Sequence, residues 1–393
     1  MGNRLSVAPS GNPGELYYKI RSKYMGKREL LLIAAFIIAG AIVYQVTAPA
    51  PAPGERSFSP GRLIENIRRG MRGNRASADI TTTSTHGVDA AVTQLRVLLR
   101  SGELTIAGED RQDLSVELRV HSNGYDDAEA QRLAKETVLK LEHAGGRLIA
   151  EVKFPQEGRQ TANLVLHVPS RLQLEIEPSS ARSRVANVAA VELSNSRGES
   201  EFKQIAGRMS GNYRGGELRI VDASGVKLTT IGTDVQLEQI RGEATLNMKS
   251  GELRGSGIGG PIDLDTIGTD ISLEKLDKSA GILRINAVSG SVSVKGLRTE
   301  GRIDVRGADV DIVVERAAPL AIYAEGGDPI EITPPAGGYQ LDAVASDGII
   351  TLPSGTLEVF PSGQERRATG PVNGGGPTFT IRSAHGNITV RSR

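Results

Sequence analysis

The chain has 393 residues with 47 basic and 46 acidic side chains, so its overall charge gives no general attraction to nucleic acid. Cysteine is absent, which excludes disulfides, thiolate catalysis and cysteine-ligated metal centres. Tryptophan is also absent, aromatic residues make up 4% and glycine reaches 47 residues, so we expect a thin core of Val, Ile and Leu.

A basic tail, residues 1–28, precedes an uncharged apolar run over residues 30–46. At about 1.5 Å per residue, this run covers most of a ~30 Å hydrocarbon layer. We therefore predict a single transmembrane helix at residues 29–47. Its N-terminal side is the more basic one, which predicts a cytoplasmic N-terminus and an extracytoplasmic C-terminal part. A signal peptide cleaved near Ala48-Pro49-Ala50 is the alternative.

Residues 48–60 are rich in proline, with Ala and Pro alternating over residues 48–53, and predict a semi-extended linker. Residues 61–91 are interpreted as a basic, amphipathic or flexible segment. Its arginines could contact anionic lipid headgroups or an envelope polymer, although packing on the next domain explains the pattern equally well. These candidate contacts are Arg62, Arg68, Arg69, Arg72 and Arg75.

Residues 92–170 read as strand, strand, helix, strand and strand, with a helix that Asp126 caps and Gly145-Gly146 ends. Such a small α/β segment could cover the open end of a repeat array, where the first coil would otherwise leave unpaired backbone. We therefore expect a cap over residues 92–170 and a repeat domain over residues 171–393.

The repeat is a glycine that opens a strand of alternating apolar residues, recurring every 16 to 22 residues. We predict that these glycines form the corners of stacked coils, where a positive φ or a close backbone approach is needed. The predicted corners are Gly216, Gly232, Gly251, Gly268, Gly290, Gly307, Gly327, Gly348 and Gly386.

Residues 230–240 match residues 266–276 at an offset of 36 residues, which is two coils of about 18. In stacked coils about 4.8 Å apart, each backbone amide pairs with a neighbouring coil. The predicted fold is therefore mainly β, a parallel β-solenoid of roughly ten coils with an α/β N-terminal cap and one membrane helix.

From about Val97 to Arg393 the chain resembles the bacterial putative-adhesin family of β-solenoid domains of unknown function. The resemblance is carried by residues 101–108, the Val168-Pro169 pair, the repeated Gly-x-Asp-Val/Ile coils and the closing residues 379–390. It implies an envelope-associated solenoid, often tethered to the bacterial cytoplasmic membrane by one helix, and it brings no catalytic residues.

Candidate chemistry is sparse. The five histidines are scattered without metal-ligand spacing, so we predict no catalytic residue, metal or cofactor, and no evident small-molecule substrate. Asp234, Asp270 and Asp309 recur at equivalent places. Stacked carboxylates could bind calcium or act in glycoside chemistry, but bonding of each Asp to its own turn is the simpler interpretation.

Three functions stay open at this point. The first is a non-enzymatic, membrane-anchored protein that acts in adhesion, scaffolding or envelope sensing and contacts membrane lipid, an envelope polymer or another envelope protein. The second is a polysaccharide-active β-helix enzyme, which the few solenoid tyrosines disfavour. The third is a bactofilin-like polymer whose end coils pair between molecules.

Overall fold

The computed structural model describes residues 76–156, 158–177, 182–276, 281–326 and 329–392, with Phe36 and Gly40. The predicted tail (1–28), membrane helix (29–47), linker (48–60) and first part of the basic segment (61–75) lie outside the described residues, apart from those two positions. Among the described residues, no helix is long and apolar enough to cross a membrane. The chain divides into two compact units, Met1–Gly73 and Asn74–Arg393, and every described strand belongs to the second.

One helix, α1 (Asp127–Glu136), accompanies the strands of the described residues. The strands are β1 (Ala76–Gly87), β2 (Gln94–Leu98), β3 (Gly102–Glu109), β4 (Asp113–Gly124), β5 (Val138–Ala144), β6 (Arg147–Lys153), β7 (Gln160–Pro169), β8 (Gln173–Glu177), β9 (Arg182–Val188), β10 (Ala190–Ile240), β11 (Ala244–Ser256), β12 (Ile262–Glu274), β13 (Leu283–Leu297), β14 (Gly301–Val314), β15 (Leu320–Glu325), β16 (Ile330–Thr333), β17 (Tyr339–Ser346), β18 (Ile350–Thr351), β19 (Phe360–Ser362), β20 (Glu365–Val372), β21 (Thr378–Ala384) and β22 (Ile388–Val390).

The central coils stack through two ladders of parallel pairing. The first ladder aligns Val226, Ala244, Ile262, Leu283 and Gly301, and the second aligns Val235, Leu253, Ile271, Val292 and Val310. Each of these coils is therefore 18 to 21 residues long. This arrangement confirms the predicted mainly β, solenoid-like fold, whereas the membrane helix stays a prediction.

The core is the thin aliphatic column that the composition predicts. Alternate residues of both ladders point inward, as Leu228 and Leu237 do in one coil, and are buried. A further inward column, Ile240, Ile258, Leu276 and Leu297, comes from the corner that follows the second ladder. Every coil thus shares apolar surface with its two neighbours, which is the main source of stability in a solenoid.

The N-terminal end departs from chain order. β2 and β3 do not form the outermost coil, because β6 and β7 pair with them on one side and β8 and β9 on the other. Antiparallel strands then cover this coil: β5 pairs with β6, β4 with β7 and β1 with β4. Parallel stacking therefore begins within residues 92–170, earlier than the expected start at residue 171.

Two local predictions for this end were wrong. The sequence predicts a helix that continues to Ala144, but α1 ends at Glu136. The next residue, Thr137, has an extended backbone, with φ of −80° and ψ of 110°. The following residues form β5, in which Leu139 and Leu141 alternate toward the core. Residues 76–87, expected to be flexible, form β1, since a run of Ser and Thr suits an exposed edge strand.

At the C-terminal end the strands are likewise exchanged, in that the coils do not stack in chain order. β21 and β22, the last strands of the chain, are inserted between β15 and β16 on one side and β17 and β18 on the other. β20 pairs antiparallel with β17, and β19 with β20. The glycine-rich residues 362–376 thus contain a strand. Leu352, Leu357 and Val359 pack on the core beside it.

Candidate functional site

The corner between the two ladders has two positions with different requirements. Gly232, Gly268 and Gly307 occupy the first position with φ near +60°, and no atom lies within 4 Å of a Cβ built on Gly232. In the intervening coils the first position holds Ser250 or Ser289, with φ of +61°. At this position only the backbone conformation favours glycine.

The second position is restricted by the neighbouring coil. Gly251 and Gly290 have φ of +109° and +101°, and a Cβ on either would overlap the carbonyl oxygen of Thr233 or Thr269. Those threonines occupy the second position of the preceding coils and are fully buried. From Gly232 to Gly290 the corner thus alternates between Gly-Thr and Ser-Gly, which explains why the sequence repeats most closely after 36 residues, or two coils.

Each of the other predicted corners that is described follows a residue with positive φ. Gly216 is a second-position glycine against the backbone of Gly198. Gly348 and Gly386 follow Asp347 and His385, whose φ values are +55° and +74°. Gly327 lies outside the described residues, as do Arg62, Arg68, Arg69, Arg72 and Arg75, whose contact with lipid or polymer stays a prediction.

The sequence pattern did not predict the opposite corner, which follows the second ladder of each coil. A residue with positive φ precedes the inward apolar residue there in coil after coil. The positions are Asn187, Gln204, Asp222, Gln239, Gly257, Lys275 and Gly296. Gln and Lys seldom adopt this conformation, so residue type alone does not reveal the column. The signal that could have found it is the spacing of the apolar residue that follows.

The recurring aspartates lie in one polar column with Glu252 and Ser291, which occupy the same position in the intervening coils. Glu252 lies in register with Asp270, and the backbone N–H of Glu252 donates to Asp234 Oδ1 at 3.0 Å. The Ser291 hydroxyl donates to Asp270 Oδ1 at 2.8 Å. These bonds join neighbouring coils, whereas the sequence favoured bonds within each turn. No group of three or more metal-ligating side chains occurs in the described part of the chain.

The described histidines are dispersed over the surface. His121 lies 2.8 Å from Asp79, His167 lies 2.5 Å from Glu109 and His385 lies 3.3 Å from Asp347. The hydrogen bond with His167 is the main reason why the pKa of Glu109 falls below its usual value. These three contacts are single pairs, whereas His86 and His143 line the same cavity at the N-terminal end.

Tyr213 fills the interior of one coil. Its hydroxyl donates to the Gly198 carbonyl at 2.9 Å and also lies 2.9 Å from the Ser200 hydroxyl. Burial raises the pKa of Tyr213 to about 12. Tyr339 is also buried and stacks on Phe379 at a centroid distance of 4.7 Å. These aromatic rings are therefore part of the core and do not form platforms for a sugar.

A cavity of about 650 Å³ opens at the N-terminal end, between β1 and β4 on one side and β5 and β6 on the other. Its walls include Val116, Leu118 and Leu148, which belong to the core, and the half-buried Leu139 and Leu141. The side chains of Lys135, His86 and His143 lie along its edges.

The Toastrack DUF4097 family model matches residues 92–391, which span both ladders and both exchanged ends. The chain belongs to this family. The match confirms the resemblance to a putative-adhesin family of unknown function. It includes β2 to β7, as does the resemblance that begins at about Val97. A search of curated proteins found no match.

Three solved structures are similar to this Toastrack chain at low identity. The "putative cell adhesion protein" of Clostridium sporogenes is 11% identical, covers 80% of this chain and all of its own, and has a TM-score of 0.19. The "putative lipid binding protein" of Parabacteroides distasonis is 13% identical, with coverages of 65% and 97% and a TM-score of 0.33. A "putative adhesin" of the same organism is 11% identical, with coverages of 80% and 97% and a TM-score of 0.28.

Proposed function

We propose that this Toastrack protein is a membrane-anchored, extracytoplasmic β-solenoid that acts without catalysis, by presenting its faces in adhesion, scaffolding or envelope sensing. The apolar run at residues 29–47 and the basic residues before it support the anchor and its orientation. The solenoid would then stand outside the cytoplasm, joined to the membrane by the Pro-rich residues 48–60.

The observation that carries the proposal is the regular outward surface of the stacked coils. Thr229, Asn247, Asp265, Asn286 and Asp304 lie in register along the first ladder. Neighbouring coils are also joined by ion pairs, such as Arg219 to Glu201 at 3.2 Å and to Glu238 at 3.0 Å. Polar side chains repeated at about 4.8 Å on a hydrogen-bonded frame suit recognition of an extended polymer or protein surface.

Two observations disfavour the other candidate functions, the bactofilin-like polymer and the polysaccharide-active enzyme. Antiparallel strands at both ends interrupt the parallel pairing that coil-on-coil polymerisation would continue. Among the described tyrosines of the solenoid, Tyr213 and Tyr339 are buried and only Tyr323 is exposed, at 38%. A sugar-degrading cleft built on stacked aromatic rings is therefore not favoured.

The proposal is tested by comparing the two faces of a single coil. A photocrosslinking amino acid is placed at Asn247 on the first ladder or at Arg254 on the second, both in β11 and both exposed. We expect one face to give a discrete crosslinked product in intact cells and the other to give little. Equal, diffuse crosslinking from both faces, or turnover of pectin, alginate or peptidoglycan fragments by the purified protein, would contradict a non-enzymatic, face-specific role.

A further inference from the structure

The two ends of the solenoid are finished differently. At the C-terminal end, the half-buried Leu352, Leu357 and Val359 pack against the core beside the stacked Tyr339 and Phe379. At the N-terminal end, β1 pairs only with β4 and β5 only with β6 among the described strands, so no strand pairing joins the two faces there. The cavity of about 650 Å³ lies in this gap.

The shape of the cavity follows from the inner rows of the two edge strands. Leu139 and Leu141 face Val152 and Ala150 across the β5–β6 pairing and line one wall. Ile80 faces Val120 across the β1–β4 pairing on the other wall. From Val138 to His143 the strand is roughly 17 Å long. The cavity is thus a narrow apolar slot within the usual size range of about 300–1,000 Å³ for small-molecule sites.

Its charged and titratable edge is entirely basic. Lys135 lies at one end of the slot and His86 and His143 at the other, and the described lining residues include no carboxylate. His86 Nε2 has a local partner, the Ser84 hydroxyl at 2.9 Å. Nearby acids are already paired, Glu136 with Arg132 at 2.8 Å and Glu142 with Lys140. An anionic headgroup beside Lys135 would therefore meet a cationic side chain and no carboxylate of the described lining.

We propose that this N-terminal slot binds a single acyl chain that carries an anionic headgroup, the chemical class of a fatty acid. The chain would lie between β1 and β5 and cover Leu139, Leu141 and Ile80. The headgroup would lie beside Lys135. Binding would join the two faces at the end where their strands do not pair.

The test uses the full chain in an amphipathic polymer free of lipid, with a diazirine-labelled palmitate as the probe. After illumination, the labelled peptides are identified by mass spectrometry. We expect label on β1, β5 or α1, and we expect unlabelled palmitate to compete for it better than hexadecanol, which has the same chain without the charge. Label confined to other regions, or equal competition by the two compounds, would overturn the proposal.

Two variants test separately the contacts of the acyl chain and those of the headgroup. Val138→Trp narrows the slot by enlarging a side chain that is 49% exposed. This variant should show less labelling by the diazirine probe and weaker competition by both palmitate and hexadecanol. Lys135→Glu should weaken palmitate competition about threefold to tenfold and leave hexadecanol unchanged. Lys249→Glu, an exposed lysine on β11, is the matched control. If Lys249→Glu has the same effect as Lys135→Glu, the slot is not the site. The same conclusion follows if Val138→Trp melts at the wild-type temperature and is still labelled to the wild-type extent.

Discussion

The carbonyl oxygen of Thr233 occupies the space that a side chain on Gly251 would need. Thr233 also connects to the coil on its other side, where its Oγ1 accepts a hydrogen bond from the Gly215 N–H at 3.1 Å. Three successive coils therefore meet at one buried threonine. Thr233 contacts Gly215 in one neighbouring coil and Gly251 in the other. The corner residues, more than the strand residues, therefore account for the two-coil period of the sequence.

The two classes of corner glycine should differ in their tolerance of substitution. Gly251→Ala introduces an overlap with backbone and should lower the free energy of unfolding by about 2–4 kcal/mol. Gly232→Ala meets open space and should cost only the left-handed backbone conformation, about 1–2 kcal/mol, and Gly232→Asn less. Denaturant unfolding measures the order, with Gln236→Ala as a surface control. A larger loss for Gly232→Ala than for Gly251→Ala would contradict the corner geometry.

Removing the Thr233 hydroxyl should also destabilise the corner. Thr233→Val keeps the volume but leaves the Gly215 N–H without its partner, which should cost about 1–3 kcal/mol. Thr233→Ser retains the hydroxyl and should stay closer to wild type. Hydrogen exchange at the Gly215 amide reports the effect locally. Unchanged exchange in Thr233→Val would show that this bond does not protect the corner.

Tyr213 should make stability depend on alkaline pH. Its folded-state pKa is raised to about 12 because the phenol is buried, whereas the unfolded value is near 10. The folded state therefore holds the proton more tightly, so this stabilisation is complete below pH ~10 and is lost as pH rises toward 12. Denaturant midpoints between these pH values should fall in wild type and fall less in Tyr213→Phe. Parallel decreases would mean that other groups cause the loss.

Asp342 connects the inserted last coil to its neighbour. The Arg382 guanidinium donates to the Asp342 carbonyl at 2.7 Å and pairs with its carboxylate. Burial raises the pKa of Asp342, but the hydrogen bond and charge of Arg382 hold it below its usual value. This stabilisation is present above pH ~4 and is lost as pH falls through the lowered pKa. Amide exchange in β21 should therefore increase on acidification in wild type. Asp342→Asn should show fast exchange already at neutral pH, and slow exchange there would contradict the linkage.

The exchanged C-terminal strands predict an unusual response to truncation. A chain that ends at residue 377 lacks β21 and β22 and so loses a middle coil, which leaves β17 and β18 without their parallel partners. We expect limited proteolysis to trim it back to about residue 333. A chain that ends at residue 333 should resist the protease, because β15 and β16 still pair with β14. Protection of residues 339–372 in the longer chain would contradict the exchanged order.

Local periodicity predicted the strands of the central coils, since Val, Ile and Leu alternate with polar residues between recurring glycines. It did not predict the opposite corner, because Gln204, Gln239 and Lys275 adopt positive φ under tertiary constraint and against their intrinsic preference. The end strands were missed for another reason. β21 lies between β15 and β17 through long-range pairing, and a repeat period gives no information on which coil lies next to which.

The location of the solenoid tests the proposed function most directly, and the absence of cysteine makes the measurement simple. Asn247→Cys, exposed on the first ladder, and Ser10→Cys, in the predicted cytoplasmic tail, are treated with a membrane-impermeant maleimide in intact spheroplasts. We expect Asn247→Cys to be labelled before lysis and Ser10→Cys only after it. Labelling of Asn247→Cys only after lysis would place the solenoid in the cytoplasm and contradict its role as an extracytoplasmic binding surface.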